Sequence, residues 1–251
     1  MAFQIAIVLY PGLTALDAIG PYEVLRGLPE GEIRFVSNEV GPIVADSGVL
    51  VLGATHTFAE TPAPDLVLVP GSEASTPRAM ADKELIEWLR RVHPRTQWTT
   101  SVCSGALVLA AADILRGHPA TTHWSAQSAL APFGAESRPH DRIVRSGKIV
   151  TAAGVSAGID LGLWLVGEIA GVETAQMVQL GIEYDPRPPF DSGHPDKAPA
   201  EVLRKTRLEM TKRAVTPRVP VDVATALWRY TLNRVRDRAA KRSGAAARLF
   251  G

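Results

Sequence analysis

The sequence predicts an α/β protein with a mostly parallel central sheet, followed by a helical extension. Segments 3–10 and 65–69 are almost continuously apolar, which is typical of parallel strands buried on both faces. Each segment stops at a Pro-Gly turn, at residues 11–12 and 70–71. With 251 residues, 46% of them hydrophobic, the chain can bury a core as one domain of ordinary α/β size.

The first hundred residues read as alternating strands and helices. In order, we expect strand 3–10, helix 14–26, strand 32–37, a hairpin-like excursion at 44–51, strand 65–69 and helix 82–93. The dipeptide Gly20-Pro21 predicts a kink or a restart within the first of these helices. The last helix is amphipathic, because Leu85, Ile86 and Leu89 share one face and charged residues lie opposite.

The remainder of the chain continues the alternation and then becomes helical. We expect strand 97–102, helix 104–115, a short strand at 120–124, a short helix at 125–130, a hairpin of 141–145 with 148–152, and helices at 155–170 and 174–181. Segment 183–191 is too proline-rich for a regular element and predicts a loop that wraps the body. Two basic amphipathic helices follow, at about 198–211 and 221–242.

Cys103, the only cysteine, lies where the strand ending at Val102 passes directly into a helix. At such a corner the thiol projects from a tight turn, and the free N–H groups at the helix start favour a thiolate. Gly105 provides the close approach that a strand–nucleophile–helix turn requires. The alternative is a buried, unreactive cysteine that packs as a small apolar side chain.

Other candidates lie at the carboxyl ends of predicted strands, where α/β proteins gather their chemistry. Asp17 follows the first strand within two helical turns, and its alternative role is a solvated acid near a helix start. Gly71 and Ser72 follow another strand, where a backbone N–H can stabilise negative charge, although ordinary turn formation explains them equally well. His123 is the histidine best placed to act as a general base, but single histidines are more often structural.

Several classes of protein are disfavoured by what the sequence lacks. One cysteine excludes an internal disulfide, and the chain begins in a strand with no basic leader, so we expect a cytoplasmic protein. No apolar run reaches the roughly 18 residues of a membrane span. The sequence also contains no Walker loop, dinucleotide fingerprint or Cys/His cluster with metal-ligand spacing, so we expect neither a cofactor nor a metal site.

Charge is distributed unevenly along the chain. Residues 201–251 contain 13 lysines and arginines against 4 acids, whereas residues 1–200 contain 14 against 22. A basic tail docked on an acidic body, either its own or that of a partner subunit, explains this pattern. Nucleic-acid binding is a less favoured explanation, because interleaved aromatic residues and a recognisable reading motif are both missing.

Several of these features together resemble one known family. They are Cys103 and Asp17 after strands, Val-Pro-Gly at 69–71, Ala-Thr-Thr-His-Trp at 120–124, and Tyr-Asp-Pro-Arg-Pro-Pro-Phe at 184–190. The combination resembles the ThiJ/PfpI family of the class I glutamine amidotransferase-like superfamily over about residues 3–195, and within it the isonitrile hydratases.

This resemblance implies a fold, an assembly and a division of the chain. It implies a flavodoxin-like three-layer sandwich at residues 1–197, a basic helical extension at 198–251, a homodimer and no cofactor. The activity it implies is the addition of water to an isonitrile, which gives an N-substituted formamide through a covalent thioimidate on Cys103.

The resemblance also implies roles for individual residues. Cys103 matches the nucleophile, Asp17 the acid, and Gly71 the oxyanion-hole position. As our own expectation, Ser72 and His123 lie beside the substrate. Ser104 departs from the pattern, since isonitrile hydratases carry threonine there. The retained hydroxyl would orient water or the substrate nitrogen, and the missing methyl would change the pocket shape.

A neighbouring thiolate and carboxylate repel each other, so Cys103 and Asp17 cannot both ionise easily. Either Asp17 is held protonated and donates to a thiolate, or Cys103 remains a thiol until substrate arrives. We favour the first arrangement, because the helix start stabilises an anion on sulfur.

Two other functions remain open. A sensor or transcription-regulator core would use the same pocket to bind a metabolite, although the roughly 50 residues of the tail are too few for the DNA-reading unit of AraC-type regulators. A glyoxalase-like or deglycase-like enzyme would prefer a carbonyl substrate, and Asp17 in place of glutamate argues mildly against it.

Overall fold

The computed structural model describes residues 2–214 and 219–249. Its strands are β1 Phe3–Val8, β2 Gly31–Ser37, β3 Gly41–Val44, β4 Val51–Ala54, β5 His56–Thr57, β6 Leu66–Val69, β7 Trp98–Val102, β8 Pro119–Ala120, β9 Glu136–Ser137, β10 Ile143–Ser146 and β11 Ile149–Ala152. Its α-helices are α1 Ala15–Leu25, α2 Thr76–Ala81, α3 Lys83–Val92, α4 Gly105–Ala111, α5 Ala157–Ala170, α6 Val172–Gly181, α7 Ala200–Ala214 and α8 Val219–Leu249. Two 3-10 helices, Trp124–Ala129 and Ala131–Phe133, complete the elements.

Seven strands form one sheet in the order β10-β11-β7-β6-β1-β2-β5. Every neighbouring pair is parallel except the edge pair of β10 and β11. The residues of β6 are completely buried, as expected of a strand covered on both faces. The mostly parallel sheet with flanking helices confirms the fold class, including the flavodoxin-like three-layer arrangement and the helical C-terminal region.

The helices flank the sheet in two groups. On one side α1 packs against α5, and the two approach closely at Gly162, where a Cβ atom would lie 2.9 Å from that of Val24. On the other side α2 and α3 pack with α4. Asp82 caps α3 by accepting hydrogen bonds from the N–H groups of Glu84 and Leu85, and Leu85, Trp88 and Leu89 are buried.

Some local predictions differ from the structure. Helix α1 runs without interruption through Pro21, whose ring packs against Gly158 of α5, so the expected restart is absent. The strand expected at 120–124 is limited to β8, and the helix expected at 125–130 is a 3-10 helix. Helix α2 was not predicted, although Pro77 in its first turn is a typical start signal.

The basic tail docks on the body of the same chain. Helix α8 packs against α2 and α4, and Tyr230 is buried with its hydroxyl donating to the carbonyl of Phe133 at 2.8 Å. An ion pair joins Asp237 of α8 to Arg90 of α3 at 2.5 Å. The described part of the tail therefore packs on its own chain, one of the two docking arrangements that the sequence suggested. The ion pair at Asp237 joins an acid of the tail to a base of the body, whereas the pair of Arg213 with Glu73 has the sign expected from the composition.

None of the helices that the structure describes combines the length and hydrophobicity needed to span a bilayer. The division at residues 197 and 198 stays a prediction.

Candidate active site

Cys103 lies at a strained corner between β7 and α4. Its φ angle is +57°, a left-handed conformation that costs energy for a residue with a side chain. The corner is fixed from both sides, because the Cys103 N–H donates to the carbonyl of Ala153 at 2.8 Å and the Thr122 hydroxyl donates to the Cys103 carbonyl at 2.8 Å. Gly105 is required here, since a Cβ atom would lie 2.2 Å from the carbonyl oxygen of Val69. The predicted strand–nucleophile–helix turn is therefore present.

Asp17 of α1 is fully buried near Cys103. One carboxyl oxygen, Oδ2, accepts a hydrogen bond from the Gly71 N–H at 2.9 Å, and Oδ1 has no aligned partner among the described residues. Burial raises the pKa of Asp17 to about 7, while the Gly71 N–H and the contact with the Cys103 thiol act in the opposite direction. The structure thus brings together the predicted nucleophile and acid.

The surroundings do not favour a free thiolate at Cys103. Burial raises the pKa of the thiol far above its usual range, and the charge of Asp17 raises it further. The N–H groups of Ser104 and Val155 act in the opposite direction and are outweighed. Burial therefore opposes ionisation of both groups at once, as expected for this pair, and the raised pKa of the thiol favours the alternative in which Cys103 remains a thiol until substrate arrives.

The backbone N–H groups of Gly71 and Ser72 both have partners inside the protein, and Ser72 lines the same cavity as Cys103, where substrate binding by it stays a prediction. The Gly71 N–H is used by Asp17, and the Ser72 N–H donates to the Ser104 hydroxyl at 3.0 Å, so neither points freely at a substrate. A Cβ atom on Gly71 would lie 2.5 Å from the backbone nitrogen of Ser104. The turn at 71–72 thus orients the carboxyl group of Asp17 and the start of α4, rather than forming the oxyanion hole itself.

The Ser104 hydroxyl is fully engaged. It donates to the Ser72 carbonyl at 3.0 Å, accepts from the Ser72 N–H and lies 2.7 Å from the Thr76 hydroxyl. This network ties α2 to the nucleophile corner. Ser104 is therefore better suited to positioning the loop than to orienting water, the role suggested from the sequence.

His123 lines the same cavity as Cys103. Its Nδ1 lies 2.7 Å from the Ser125 hydroxyl and accepts from the Ser125 N–H at 3.3 Å, which caps the 3-10 helix. Burial lowers its pKa, which favours the neutral ring at neutral pH. The structure therefore places His123 beside the nucleophile, as predicted, in a form that carries no charge.

The cavity at Cys103 has a volume of about 370 Å³. Its walls come from the β3–β4 turn, α2, α4, the 3-10 helix, the start of α5 and helix α7. The lining residues are Thr14, Asp46, Ser72, Glu73, Thr76, Pro77, Cys103, Ser104, Leu107, His123, Ser125, Ala126, Val155 and Met210. The sequence pointed to those at strand ends, but Asp46 and Met210 come from distant segments that carry no local signal.

One group of described residues could hold a metal ion, although the sequence predicted no metal site. His140 Nδ1 and His194 Nδ1 lie 3.1 and 3.3 Å from Asp196 Oδ2. The group is largely exposed and lies outside the cavity of Cys103. It was missed because His140 and His194 lie far apart in the chain.

The sequence matches the DJ-1/PfpI family over residues 3–168, about two thirds of the chain. The chain belongs to this family. The family resemblance drawn from the sequence is thereby confirmed.

The chain is similar to three proteins of different descriptions. The chain is 42% identical over 224 residues to the isonitrile hydratase of Pseudomonas putida. The aligned region covers 85% of this chain and 97% of that enzyme. The structure is similar to the crystal structure of a ThiJ/PfpI family protein from Pseudomonas syringae, with a TM-score of 0.81 and 37% sequence identity. The match covers 90% of this chain and 91% of that protein. The chain is 29% identical to the HTH-type transcriptional regulator CdhR of Pseudomonas aeruginosa, over 68% of this chain but 52% of the regulator.

Proposed function

We propose that this protein adds water to an isonitrile and releases an N-substituted formamide, with Cys103 as a covalent nucleophile. The observation that carries the proposal is the buried pair of Cys103 and Asp17: the cysteine lines a cavity of about 370 Å³, and the carboxyl group is held by the Gly71 N–H with a pKa that burial raises. The likeness to an isonitrile hydratase over most of both chains supports the same substrate class.

In the first step the Cys103 thiol adds to the terminal carbon of the isonitrile. Asp17, as a carboxylate, accepts the thiol proton and delivers it to that carbon while the carbon–sulfur bond forms. The carbon–nitrogen triple bond becomes a double bond, and the product is a thioimidate with no leaving group. The unpartnered Oδ1 of Asp17 is the oxygen available for this transfer.

In the second step water attacks the thioimidate carbon. Asp17 accepts a proton from water and passes it to nitrogen, which gives a tetrahedral adduct bearing a hydroxyl group. The carbon–sulfur bond then breaks, the carbonyl forms, and the hydroxyl proton returns to sulfur through Asp17. The N–H groups of Ser104 and Val155 stabilise the charge that develops on the departing sulfur.

The remaining residues have supporting roles in this proposal. Gly71 orients Asp17, and Ser104 with Ser72 holds the loop against the nucleophile corner. Neutral His123 lies beside the substrate, where its ring forms part of the cavity wall. No step requires a cofactor, since the reaction adds only water and the two residues carry every proton.

The test is a screen of purified protein with alkyl isonitriles and with methylglyoxal, monitored by proton NMR. We expect a formamide signal from isonitriles and no consumption of methylglyoxal. Consumption of methylglyoxal without formamide would replace the proposal by a glyoxalase-like or deglycase-like activity.

A regulator core is the second candidate, because the chain is similar to about half of a transcriptional regulator. A regulator would bind DNA with an affinity that falls steeply as the salt concentration rises, and it would not turn over isonitriles. Helix α8 packs against the body of the same chain, so the face buried there is not available for such a contact.

We further propose that the protein works as a homodimer in the cytoplasm, as the sequence suggested. Sedimentation equilibrium of the full chain distinguishes a monomer of 26.9 kDa from a dimer.

A further inference from the structure

A second cavity adjoins the one at Cys103. It has a volume of about 390 Å³ and is lined by Glu73, Trp124, Ser125, Arg207, Met210 and Thr211, a set that we call the α7 chamber. Glu73, Ser125 and Met210 line both cavities, so the two share part of their walls. An isonitrile carbon and nitrogen need only the space beside Cys103, which leaves the neighbouring space for the group attached to nitrogen.

Helix α7 covers this chamber through charged side chains. The Arg207 guanidinium lies 5.8 Å from the centre of the Trp124 ring, a cation–π distance, and Arg213 lies 3.4 Å from Glu73. Because Glu73 already has a cationic partner, its charge opposes an anion in the chamber less than a free carboxylate would.

Arg207 differs from its neighbour on the same helix. Arg204 pairs with Glu201 at 2.8 Å, whereas no carboxylate among residues 2–214 and 219–249 lies within ion-pair distance of Arg207. A planar guanidinium held against an indole presents both a stacking surface and donors that suit a carboxylate.

We propose that the α7 chamber binds the substituent of the isonitrile, and that it takes a flat aromatic group bearing a carboxylate. The aromatic ring lies against the part of Trp124 that lines the chamber and is not covered by Arg207, and the carboxylate pairs with Arg207. This inference rests on the proposed function for its substrate, but the binding properties of the chamber can be measured without turnover.

The binding test uses the corresponding products, 4-formamidobenzoate and the uncharged formanilide, with the Cys103→Ala protein in a calorimeter. We expect 4-formamidobenzoate to bind at least about threefold more tightly, the size expected for one partly exposed ion pair. Arg207→Gln should remove this preference, and Trp124→Ala should weaken both ligands by about threefold to tenfold. Arg204→Gln, one turn away on α7, is the matched control and should retain the preference.

The turnover test compares kcat/KM for 4-carboxyphenyl and phenyl isonitrile. We expect the ratio to exceed about 3 in the wild type and in Arg204→Gln, and to fall to about 1 in Arg207→Gln. Turnover of both isonitriles with a ratio of 1 in the wild type, or equal binding of the two products, would overturn the chamber assignment. Preferential product binding without any isonitrile turnover would retain the chamber and reject the proposed reaction instead.

Discussion

The inner part of the site and its rim differ in burial and in the parts of the sequence that form them. The inner part consists of Cys103, Asp17 and the turn at 71–72, which are buried near the ends of parallel strands. Hydrogen bonds join the turn to Asp17 and to Ser104, the residue after the cysteine. The rim consists of α7 and the β3–β4 turn, whose side chains are more exposed and reach the cavity from distant parts of the sequence. In the function proposed above, the elements of the sheet hold the reacting groups, and the rim contacts the substituent of the substrate.

The largest expected effect comes from removing the nucleophile. Cys103→Ala should lower isonitrile turnover by at least about a thousandfold, because no other thiol is present to form the thioimidate. Formamide production is followed by NMR, and the folded state is checked by thermal unfolding. Appreciable turnover by the folded variant would place the chemistry elsewhere.

Asp17→Asn should lower turnover but raise stability. Turnover should fall strongly and lose the rise through about pH 7 that the wild type shows as Asp17 becomes a base. Burial raises the pKa of Asp17 from 3.8 to about 7. The contribution of this group to the free energy of unfolding is therefore fully present below about pH 3.8 and is lost as pH rises through about 7. The variant should therefore gain stability relative to wild type between pH 5 and 8, by up to about 4 kcal/mol.

Denaturant unfolding at several pH values measures this difference. A gap between the two proteins that stays constant with pH would contradict a raised pKa at Asp17.

Gly71→Ala tests whether the turn positions the pair. The added methyl group would lie 2.5 Å from the Ser104 nitrogen and hydroxyl, so the turn must shift, which should cost about 1–3 kcal/mol of stability and reduce kcat. Gly53→Ala is the matched control, because a Cβ atom there meets nothing within 4 Å. Equal behaviour of the two variants in unfolding and turnover assays would remove the positioning role of Gly71.

Met210→Ala should have the smallest effect, and it should act on substrate binding. Removing a side chain that lines both cavities should raise KM for small alkyl isonitriles by a few fold, on the order of the loss of one partly buried apolar contact, with little change in kcat. Leu208→Ala, exposed on the same helix, is the control. A loss of kcat comparable to that of Asp17→Asn would contradict the separation of rim and reacting groups.

The sequence allowed the inner part of the site to be located because parallel strands bring their carboxyl ends to one edge of a sheet. Asp17, Gly71 and Cys103 follow three strands that are neighbours in the sheet, so their convergence follows from topology. The fold class was predictable for the same reason, since apolar segments and following helices mark parallel strands directly in the sequence.

What the sequence did not reveal depends on burial and on long connections. Favourable N–H groups suggested a thiolate at Cys103, but full burial beside a carboxyl group outweighs them. Gly71 was assigned to the substrate because no pattern shows that its N–H is used by Asp17. Met210 and Arg207 reach the cavities through a connection of irregular structure that leaves no periodic signal.

Intact-mass spectrometry of the wild-type protein, quenched during turnover of an isonitrile, tests the central claim that Cys103 forms a thioimidate. Because the addition has no leaving group, the account predicts an adduct equal to the full mass of the isonitrile, located on Cys103 by peptide mapping and absent from Cys103→Ala. Formamide production under single-turnover conditions, with no adduct at any quench time, would contradict it.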